Sequence, residues 1–587
     1  MKLLLGALCV LALTGPAPAA NDNVDDFFRD FTDTWVRGSP NLATSSRYFT
    51  GAEQDRLERQ LDPETRAYRL ERIRLAQQGL EKLRQFDRGR MTAMQRVSAD
   101  LLAWQLGIIT REEPYLDYTF PLEQMNGVNV RIIETLTVRH PLATERDAEN
   151  YVAALGQVAT RMEEATAEAQ RLAAKHMIPP RFILRATIDQ MRQFASTPAA
   201  QNPFVSVFSE KTKNIAGLPA AKRTALVAEA GKLVESQIDP AWNKGVAALD
   251  AMTAQANDDA GLWRFQGGSQ AYAYFLERYT TTHMTPEQIH EIGLKRVTEI
   301  EAQMDQILRK MGRTQGTVKE RIAQLDRELH YPETEAGRAQ IMADIQNILQ
   351  DALKRSQSLF DLRPKSPVVA QAFPRFREAN AAANYNVPAP DGSRPGVFQY
   401  PLRPSKMTKF GLRSTVYHET VPGHHFQIAL EMENPNLPRF RRIRAFGNIS
   451  ALGEGWGLYA ERLAAESGWY DGDPAGLLGQ LDSELFRARR LVVDTGIHAM
   501  HWTLQQGIDF GIERSEVERY VVFPGQACSY MMGELKILEL RERTRKALGS
   551  KFSIYEFHDA VLRAGTVPLD MLEQQVAEYV KARGGKL

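Results

Sequence analysis

The sequence predicts a mainly α-helical protein with one small extended element. Long segments rich in Ala, Glu, Gln and Arg repeat their apolar residues at intervals of three and four, as amphipathic helices do. A capping box with proline at the first helical position begins at Thr285, and the helical pattern stops in the proline-rich residues 364–404. At 587 residues the chain exceeds one ordinary core, so we expect two helical lobes, residues 21–285 and 286–587.

The composition is that of a soluble globular protein, with 43% hydrophobic and 25% charged residues. The 73 basic and 72 acidic residues leave a net charge of +1. Nucleic-acid-binding surfaces and polybasic membrane anchors need an excess of basic residues. We therefore expect no nucleic-acid partner. An oligomeric state does not follow from these residues.

The N-terminus has the pattern of a signal peptide. A basic start is followed by the apolar residues 3–13 and by an Ala-x-Ala site that ends at Ala19 or Ala20. We expect cleavage of residues 1–20 and export to the periplasm or the extracellular space, with no membrane contact afterwards; an uncleaved anchor is the alternative. Cleavage would leave Cys528 as the single cysteine, so a metal site would need His and carboxylate ligands.

The first part of the chain predicts helices to which we assign no chemistry. Residues 24–106 repeat apolar residues at helical intervals, and Asp62-Pro63 indicates a helix start with Asp as N-cap. Residues 114–139 are the main candidate for irregular or extended structure. Further amphipathic helices are predicted at residues 143–173, 220–253 and 287–311, with a helical hairpin at 318–358.

The proline-rich stretch predicts a turn that leads into a short strand, over residues 384–388 and 391–400. A peptide substrate could add to this strand as an antiparallel partner through main-chain hydrogen bonds. Arg394 could pair with a substrate carboxylate, or it could bind carbonyl groups of its own loop. Tyr385 is the second candidate for substrate binding in this stretch.

Residues 418–425 contain three of the eleven histidines and one glutamate, at the end of a predicted helix. In zinc peptidases a His-Glu pair followed by a second His one turn later holds the metal, and the glutamate deprotonates its water. Here His418 and Glu419 are followed by His424 and His425 instead. In an unbroken helix, His424 would lie about 120° from the face of His418 and roughly 9 Å along the axis. No single metal could then bind both.

Pro422 and Gly423 offer a way to bring the two histidines together despite their spacing. Proline lacks an N–H group and its ring clashes with the carbonyl group four residues back, and glycine accepts backbone angles that other residues avoid. We therefore expect the helix to bulge, so that a widened turn brings His424 beside His418. His425 is the competing second ligand, because seven residues restore the helix face within about 20°.

A third ligand is predicted on the helix that begins near residue 453. A catalytic zinc takes three protein ligands, and Glu454 and Glu461 lie about two turns apart on one face of this helix. Either could reach the metal, and the other would orient a histidine. We favour Glu454, because the flanking glycines allow a close approach of the chain.

Two later segments supply candidates for stabilising an oxyanion. Asp494 and His498 are four residues apart on a predicted helix, so the carboxylate could hold one tautomer of the imidazole. Tyr530 lies at a loop-to-helix junction among small residues. We expect His498 and Tyr530 to donate to the oxyanion, and Arg490 to bind a substrate carboxylate. A structural role is the alternative for each.

Together these segments resemble the bacterial family of unknown function called DUF885. The resemblance lies in a His-Glu-x-x-Pro-Gly-His-His block at 418–425, Glu-Gly-Trp at 454–456, Asp-x-Gly-x-His at 494–498 and Pro-x-Gln-x-x-Ser-Tyr at 524–530. It implies an almost entirely helical fold similar to zinc peptidases of the gluzincin kind, whose third ligand is a glutamate on a following helix. It does not define a substrate.

The resulting hypothesis is an exported zinc-dependent peptidase with one Zn²⁺ per chain and a peptide or small amide as substrate. His418, His424 and Glu454 would bind zinc, and Glu419 would take the proton from the activated water. One alternative is a metal-dependent hydrolase of non-peptide amides or esters. The other is a secreted binding or scaffold protein without catalytic activity.

Overall fold

The computed structural model describes residues 23–373, 375–378, 383–388, 394–404, 407–563 and 565–587. The predicted signal peptide, residues 1–20, lies outside these ranges. The mainly α-helical fold is confirmed, and three short strands form its one described sheet. None of the helices in the described ranges combines the length and the apolar composition that a membrane span requires.

The part of the chain before residue 285 folds into α-helices joined by short 3-10 and π-helical turns. These helices are α1 (Val24–Arg37), α2 (Pro40–Ser46), α3 (Gly51–Glu58), α4 (Arg66–Leu83), α5 (Ala93–Arg111), α6 (Val128–Glu134), α7 (Glu145–Leu155), α8 (Val158–Ala173), α9 (Arg181–Ala195), α10 (Pro203–Thr212), α11 (Ala220–Leu233), α12 (Asp239–Thr253) and α13 (Gly268–Thr280).

The part after residue 285 adds the sheet and the remaining helices. Its elements are α14 (Pro286–Lys310), α15 (Val318–Glu328), α16 (Glu335–Arg355), β1 (Val368–Ala372), α17 (Arg375–Glu378), β2 (Asn384–Asn386), β3 (Gly396–Tyr400), α18 (Lys409–Glu419), α19 (His424–Glu433), α20 (Arg439–Arg442), α21 (Ser450–Glu466), α22 (Pro474–Ala499), α23 (Leu504–Asp509), α24 (Arg514–Val522), α25 (Ser529–Leu548), α26 (Ile554–Leu562) and α27 (Leu569–Ala582).

The local signals for helix starts have different outcomes. The capping box is confirmed, because the Thr285 hydroxyl accepts from the Gln288 N–H at 3.3 Å and the Gln288 side chain accepts from the Thr285 N–H at 2.9 Å. The start at Asp62 is wrong. Asp62 accepts hydrogen bonds from the Asn41 N–H and the Ser39 hydroxyl, and α4 begins later, with Thr65 as its N-cap.

Residues 114–139 are helical over much of their length; residues 119–127 are irregular, as expected, and none of the segment is a strand. Their helices are a 3-10 helix at Glu113–Tyr118, α6, and a π-helical turn at Thr135–Arg139. The apolar side chains of this region, among them Leu122, Ile132 and Leu136, are buried in a cluster with other helices. Packing against these helices explains why a segment without a clear local pattern becomes helical.

The hydrophobic cores do not follow the predicted lobe boundary at residue 285. One cluster is formed by residues 61–256 alone. The largest cluster instead joins residues 24–106 to residues 331–580. Within it, Phe28 packs on Phe440 at a ring distance of 5.5 Å, and the Trp35 indole N–H donates to the Ala445 carbonyl group at 2.9 Å. The N-terminal helices therefore belong to the same core as the C-terminal half.

The sheet corrects the predicted place for substrate addition. β3 lies in its centre, parallel to β1 and antiparallel to β2. Both edges of β3 are thus occupied, so a peptide cannot add to this strand. β2 pairs with β3 along one edge, and no described strand pairs with its other edge.

Replacing Phe28 with Ala tests whether the N-terminal helices share the main core. Loss of a buried Phe side chain should lower the free energy of unfolding by about 3–5 kcal/mol, measured by chemical denaturation. Met125→Ala is the control, because Met125 is 39% exposed and its removal should change stability by less than about 0.5 kcal/mol. An early separate transition in Phe28→Ala, with the rest of the protein unaffected, would contradict the shared core.

Candidate metal centre

The candidate centre begins with a widened turn between two helices. α18 ends at Glu419 and α19 begins at His424, and across the turn the Gly423 N–H donates to the Tyr417 carbonyl group, six residues back, at 3.0 Å. The Val421–Pro422 bond is cis. A side chain at Gly423 would overlap the carbonyl oxygen of His418, so only glycine fits there. The turn brings the rings of His418 and His424 to 4.7 Å from each other.

A later helix fixes this turn and the first histidine. The Trp456 indole N–H in α21 donates to the Pro422 carbonyl group at 2.8 Å. One residue on, a Cβ atom at Gly457 would lie 2.6 Å from the His418 ring. The Gly-Trp-Gly sequence therefore supplies one bond to the turn and one space for the imidazole.

The same helix brings Glu454 to the two histidines. The Glu454 Oε2 atom lies 3.6 Å from His418 Nε2 and 3.3 Å from His424 Nε2. The three ligand atoms all lie within 4.8 Å of one another. Two ligands of a tetrahedral zinc, each about 2.0–2.2 Å from the metal, are about 3.3–3.6 Å apart. Charge-assisted hydrogen bonds are shorter, about 2.7–2.9 Å.

The donor set and its spacing therefore fit a divalent metal. Two imidazole nitrogens and one carboxylate oxygen are typical of zinc sites with an open fourth position. The charges are also matched: burial opposes ionisation of Glu454, but the facing imidazoles of His418 and His424 outweigh it and hold its pKa well below the ordinary value.

Glu461 binds the Nδ1 side of the His418 ring and so orients it. Its Oε1 atom lies 2.8 Å from His418 Nδ1, and its other oxygen accepts a hydrogen bond from the Ser414 hydroxyl. This contact leaves Nε2 of His418 directed to Glu454. Carboxylate partners of this kind fix the tautomer of metal-binding histidines. Of the two carboxylates in question, Glu454 thus lies between the histidines and Glu461 lies behind one of them.

His425, the competing second ligand, lies elsewhere. Its ring is buried, and its Nδ1 atom is 2.8 Å from the hydroxyl of Tyr385 on β2. Burial lowers the pKa of His425 to about 4, so the ring is neutral at pH 7. The Tyr385 hydroxyl therefore binds α19 rather than a substrate. This bond attaches the edge strand to the helix that carries His424.

Glu419 follows His418 directly and is half-buried. Burial raises its pKa above the ordinary value of 4.5, and the positive charges of His424 and His418 act in the opposite direction. A carboxylate in this position, next in sequence to a candidate metal ligand and only partly exposed, has the character of a general base.

Tyr530 lies near His418. The two rings are 6.4 Å apart and nearly parallel. Two arginines of α22 lie against the Tyr530 ring, Arg490 at 4.7 Å and Arg487 at 5.8 Å from its centre. Sequence reasoning missed Arg487, although its position three residues before Arg490 on one helix face was a usable signal.

His498 does not reach the site, and its predicted role as an oxyanion donor is wrong. The Leu262 N–H donates to its Nδ1 atom at 3.2 Å, and Nε2 donates to the Tyr520 carbonyl group at 2.9 Å. The ring is fully buried, so no nitrogen is free for a substrate. Nor does Asp494 hold this ring: its carboxylate accepts from the Tyr272 hydroxyl and the Gly525 N–H.

The two predicted substrate-binding arginines differ in their surroundings. Arg490 is buried and donates to Glu516 at 2.8 Å and to the Tyr520 hydroxyl at 3.1 Å, so most of its guanidinium is already bound within the protein. Arg394 is exposed and lies close enough to Tyr385 to lower its pKa through its charge, against the larger effect of burial. The role of Arg394 stays a prediction.

Comparison with known proteins gives a family and a fold. The model of the family DUF885, described as a bacterial protein of unknown function, matches residues 40–576. A crystal structure from Colwellia psychrerythraea has a TM-score of 0.88 and 30% sequence identity, and the match covers 95% of this chain and 100% of that chain. No curated protein matches.

A structure from Shewanella oneidensis has the same fold, with a TM-score of 0.69 and 18% identity over 94% of this chain and 99% of that one. Both solved proteins are described as a "putative lipoprotein".

Replacing Glu461 with Gln tests the orientation of His418. The amide still fills the space but binds the imidazole less strongly, so zinc affinity should fall about 10- to 100-fold, measured by competition with a chromophoric chelator. Glu466→Gln, on the same helix but on the surface, should leave the affinity unchanged. Equal affinities in the two variants would contradict this role of Glu461.

Asp494 predicts a dependence of stability on pH. Burial raises its pKa to about 7 from 3.8, against the hydrogen bonds from Tyr272, Gly525 and Cys528. The folded state then binds the proton more tightly than the unfolded state, so stability falls as the pH rises from 3.8 to about 7. Asp494→Asn cannot ionise and should lack this part of the decline. Melting temperatures of the two proteins that change in parallel with pH would contradict the assignment.

Proposed function

We propose that this chain, which belongs to the bacterial family DUF885, is an exported metal-dependent peptidase that hydrolyses peptide bonds with a metal-activated water. The observation that carries the proposal is the meeting of His418, His424 and Glu454 within 4.8 Å, directly beside Glu419. Three residues from two separate segments, all of metal-binding types, converge at a break that the sequence builds with proline and glycine.

His418, His424 and Glu454 would hold the metal, and zinc is the ion that this donor set suits best. When bound, zinc lowers the pKa of a water molecule and polarises a carbonyl group. Glu461 keeps His418 in the required tautomer through its bond to Nδ1. Because Nδ1 of His418 is bound to Glu461, Nε2 is the ligand atom.

Glu419 is the proposed general base. It takes the proton of the attacking water on its carboxylate and passes the proton to the leaving amine. Positioned acid–base groups contribute about 10²- to 10⁴-fold to such reactions. The Tyr530 phenol is the proposed donor to the oxyanion, because its ring lies on His418 and the two arginines beside it favour negative charge there.

The sheet supports a peptide as the substrate. β2 is an edge strand in the described part of the chain, and its Tyr385 is hydrogen-bonded to His425 at 2.8 Å, next to the metal ligand His424. An extended peptide can pair with such an edge through main-chain hydrogen bonds. An ester or a small amide would not use a strand edge in this way.

Two independent features support export. Residues 1–20 have the pattern of a signal peptide, and the solved protein from Colwellia psychrerythraea, 30% identical to this chain, is described as a "putative lipoprotein", a class of exported proteins. The His and carboxylate donor set is also suited to an oxidising compartment, because it contains no thiol.

Glu419→Gln separates catalysis from metal binding. The amide cannot accept the proton, so hydrolysis of a mixed peptide library should fall about 10²- to 10⁴-fold while zinc content stays at the wild-type level. Elemental analysis and mass spectrometry of the products measure both. Glu466→Gln is the control and should keep both activity and zinc.

Retained peptide hydrolysis in Glu419→Gln would refute the role of the base. Hydrolysis of esters but not of peptides by the wild-type protein would favour the non-peptide alternative. A wild-type protein that contains no zinc and is indifferent to chelators would favour a binding protein.

A further inference from the structure

Three arginines surround Tyr530, and we call them the arginine cluster: Arg487, Arg490 and Arg519. Arg487 and Arg490 lie against the Tyr530 ring, and the charge of Arg519 also interacts with this tyrosine. Glu516 pairs with Arg490 at 2.8 Å and with Arg519 at 3.5 Å. No carboxylate of the described residues forms an ion pair with Arg487. The charge of Arg487 nevertheless acts on Glu419, Glu461 and Asp482, none of which lies within ion-pair distance of it.

The donors of the cluster are incompletely used. Arg490 is 4% exposed, and its Nη1 atom is buried without a hydrogen-bond partner in the described structure. The Nε atom of Arg487 is likewise buried and unpartnered there, while its Nη1 atom donates to the Ser483 hydroxyl at 2.5 Å. Buried N–H groups of a charged side chain are costly unless an acceptor binds them.

These unused donors have a definite chemical preference. A guanidinium is planar and always charged, and its N–H groups match the two oxygens of a carboxylate. Arg487 and Arg519 are the members that an incoming group can reach, because they are half-buried whereas Arg490 is buried. A substrate carboxylate would satisfy the free N–H groups.

The distance from the candidate metal centre limits where this carboxylate sits. The path runs 6.4 Å from the His418 ring to the Tyr530 ring, and from there 4.7 Å to Arg490 or 5.8 Å to Arg487. The two legs need not be collinear, so together they set a maximum; an extended chain covers about 3.3–3.6 Å per residue, and about three residues are therefore the upper limit.

We propose that the arginine cluster binds the free C-terminal carboxylate of the substrate, so that the enzyme releases short fragments of one to three residues from the C-terminus. This inference rests on the proposed peptidase function and adds its substrate class. Arg487 is the specificity-determining residue, since it is half-buried, its Nε atom is unpartnered, and no described carboxylate lies within ion-pair distance of it. An Asp or Glu side chain near the scissile bond is the other source of the same chemical group.

Binding to the Glu419→Gln variant, supplied with zinc, tests the subsite without turnover. The probes are Ala-Ala-Ala, its C-terminal amide, and the amide of Ala-Ala-Glu, titrated by calorimetry. The free acid should bind about 10- to 100-fold more tightly than the Ala-Ala-Ala amide. Tight binding of the Glu-containing amide would support the carboxylate subsite and assign it to a side chain. Equal binding of acid and amide, or no saturable binding of any probe, overturns the proposal.

Variants of Arg487 show whether the arginine cluster or the metal binds the substrate carboxylate. In the same background, Arg487→Gln should abolish the preference for the free acid, and Arg487→Lys, which keeps the charge, should retain part of it. Arg489→Gln is the matched control, because Arg489 lies on the same helix and pairs with Glu301 at 2.9 Å. A preference that survives in Arg487→Gln overturns the proposal, since the metal would then be binding the carboxylate.

Measurements of turnover distinguish the carboxylate subsite from the peptidase function itself. With active protein, peptides with a free C-terminus should be cleaved at least about 10-fold faster than their amides, with fragments of one to three residues as products. Equal cleavage of acids and amides overturns the subsite and leaves the peptidase. Turnover retained in Glu419→Gln counts against the peptidase mechanism and leaves the binding result unaffected.

Discussion

The close packing of the Pro422–Gly423 turn against α21 is the constraint on which the rest of the site depends. A continuous helix would place His418 and His424 on different faces, and the break removes that separation. The turn is held by the indole of Trp456, and Gly457 leaves the space that the His418 ring fills. α21 in turn packs closely on α25, because Gly455 faces Gly533 without a side chain on either. Each of these contacts therefore contributes to the geometry of three ligand atoms.

The second feature of the site is its arrangement of buried charge. Ionised carboxylates are costly to bury unless positive charge or hydrogen bonds compensate. Glu454 and Glu461 are each compensated by an imidazole, and in both the pKa is lowered despite burial. Among the described residues no imidazole forms an ion pair with Glu419, and burial raises its pKa. Two of these neighbouring glutamates thus stay ionised, and the third can exchange a proton. The proposed hydrolysis requires both kinds of carboxylate.

Several parts of the structure could be predicted from sequence because their causes are local. The helix at Thr285 follows from a capping box within four residues, and the break after Glu419 follows from proline and glycine. Other parts depend on partners far along the chain. Asp62 binds residues near position 40 instead of capping a helix, and His498 is held by backbone groups of residues 262 and 520. No local sequence pattern predicts the hydrophobic core that joins residues 24–106 to the C-terminal half either.

The zinc content of variants at two adjacent histidines tests the proposed metal coordination most directly. His424 and His425 are adjacent in sequence, but the structure directs one to Glu454 and the other to Tyr385. Elemental analysis of purified protein should therefore give one zinc per chain in the wild type and in His425→Ala, and none in His424→Ala. Zinc retained in His424→Ala and lost in His425→Ala would contradict the account, as would a wild-type protein that binds no metal.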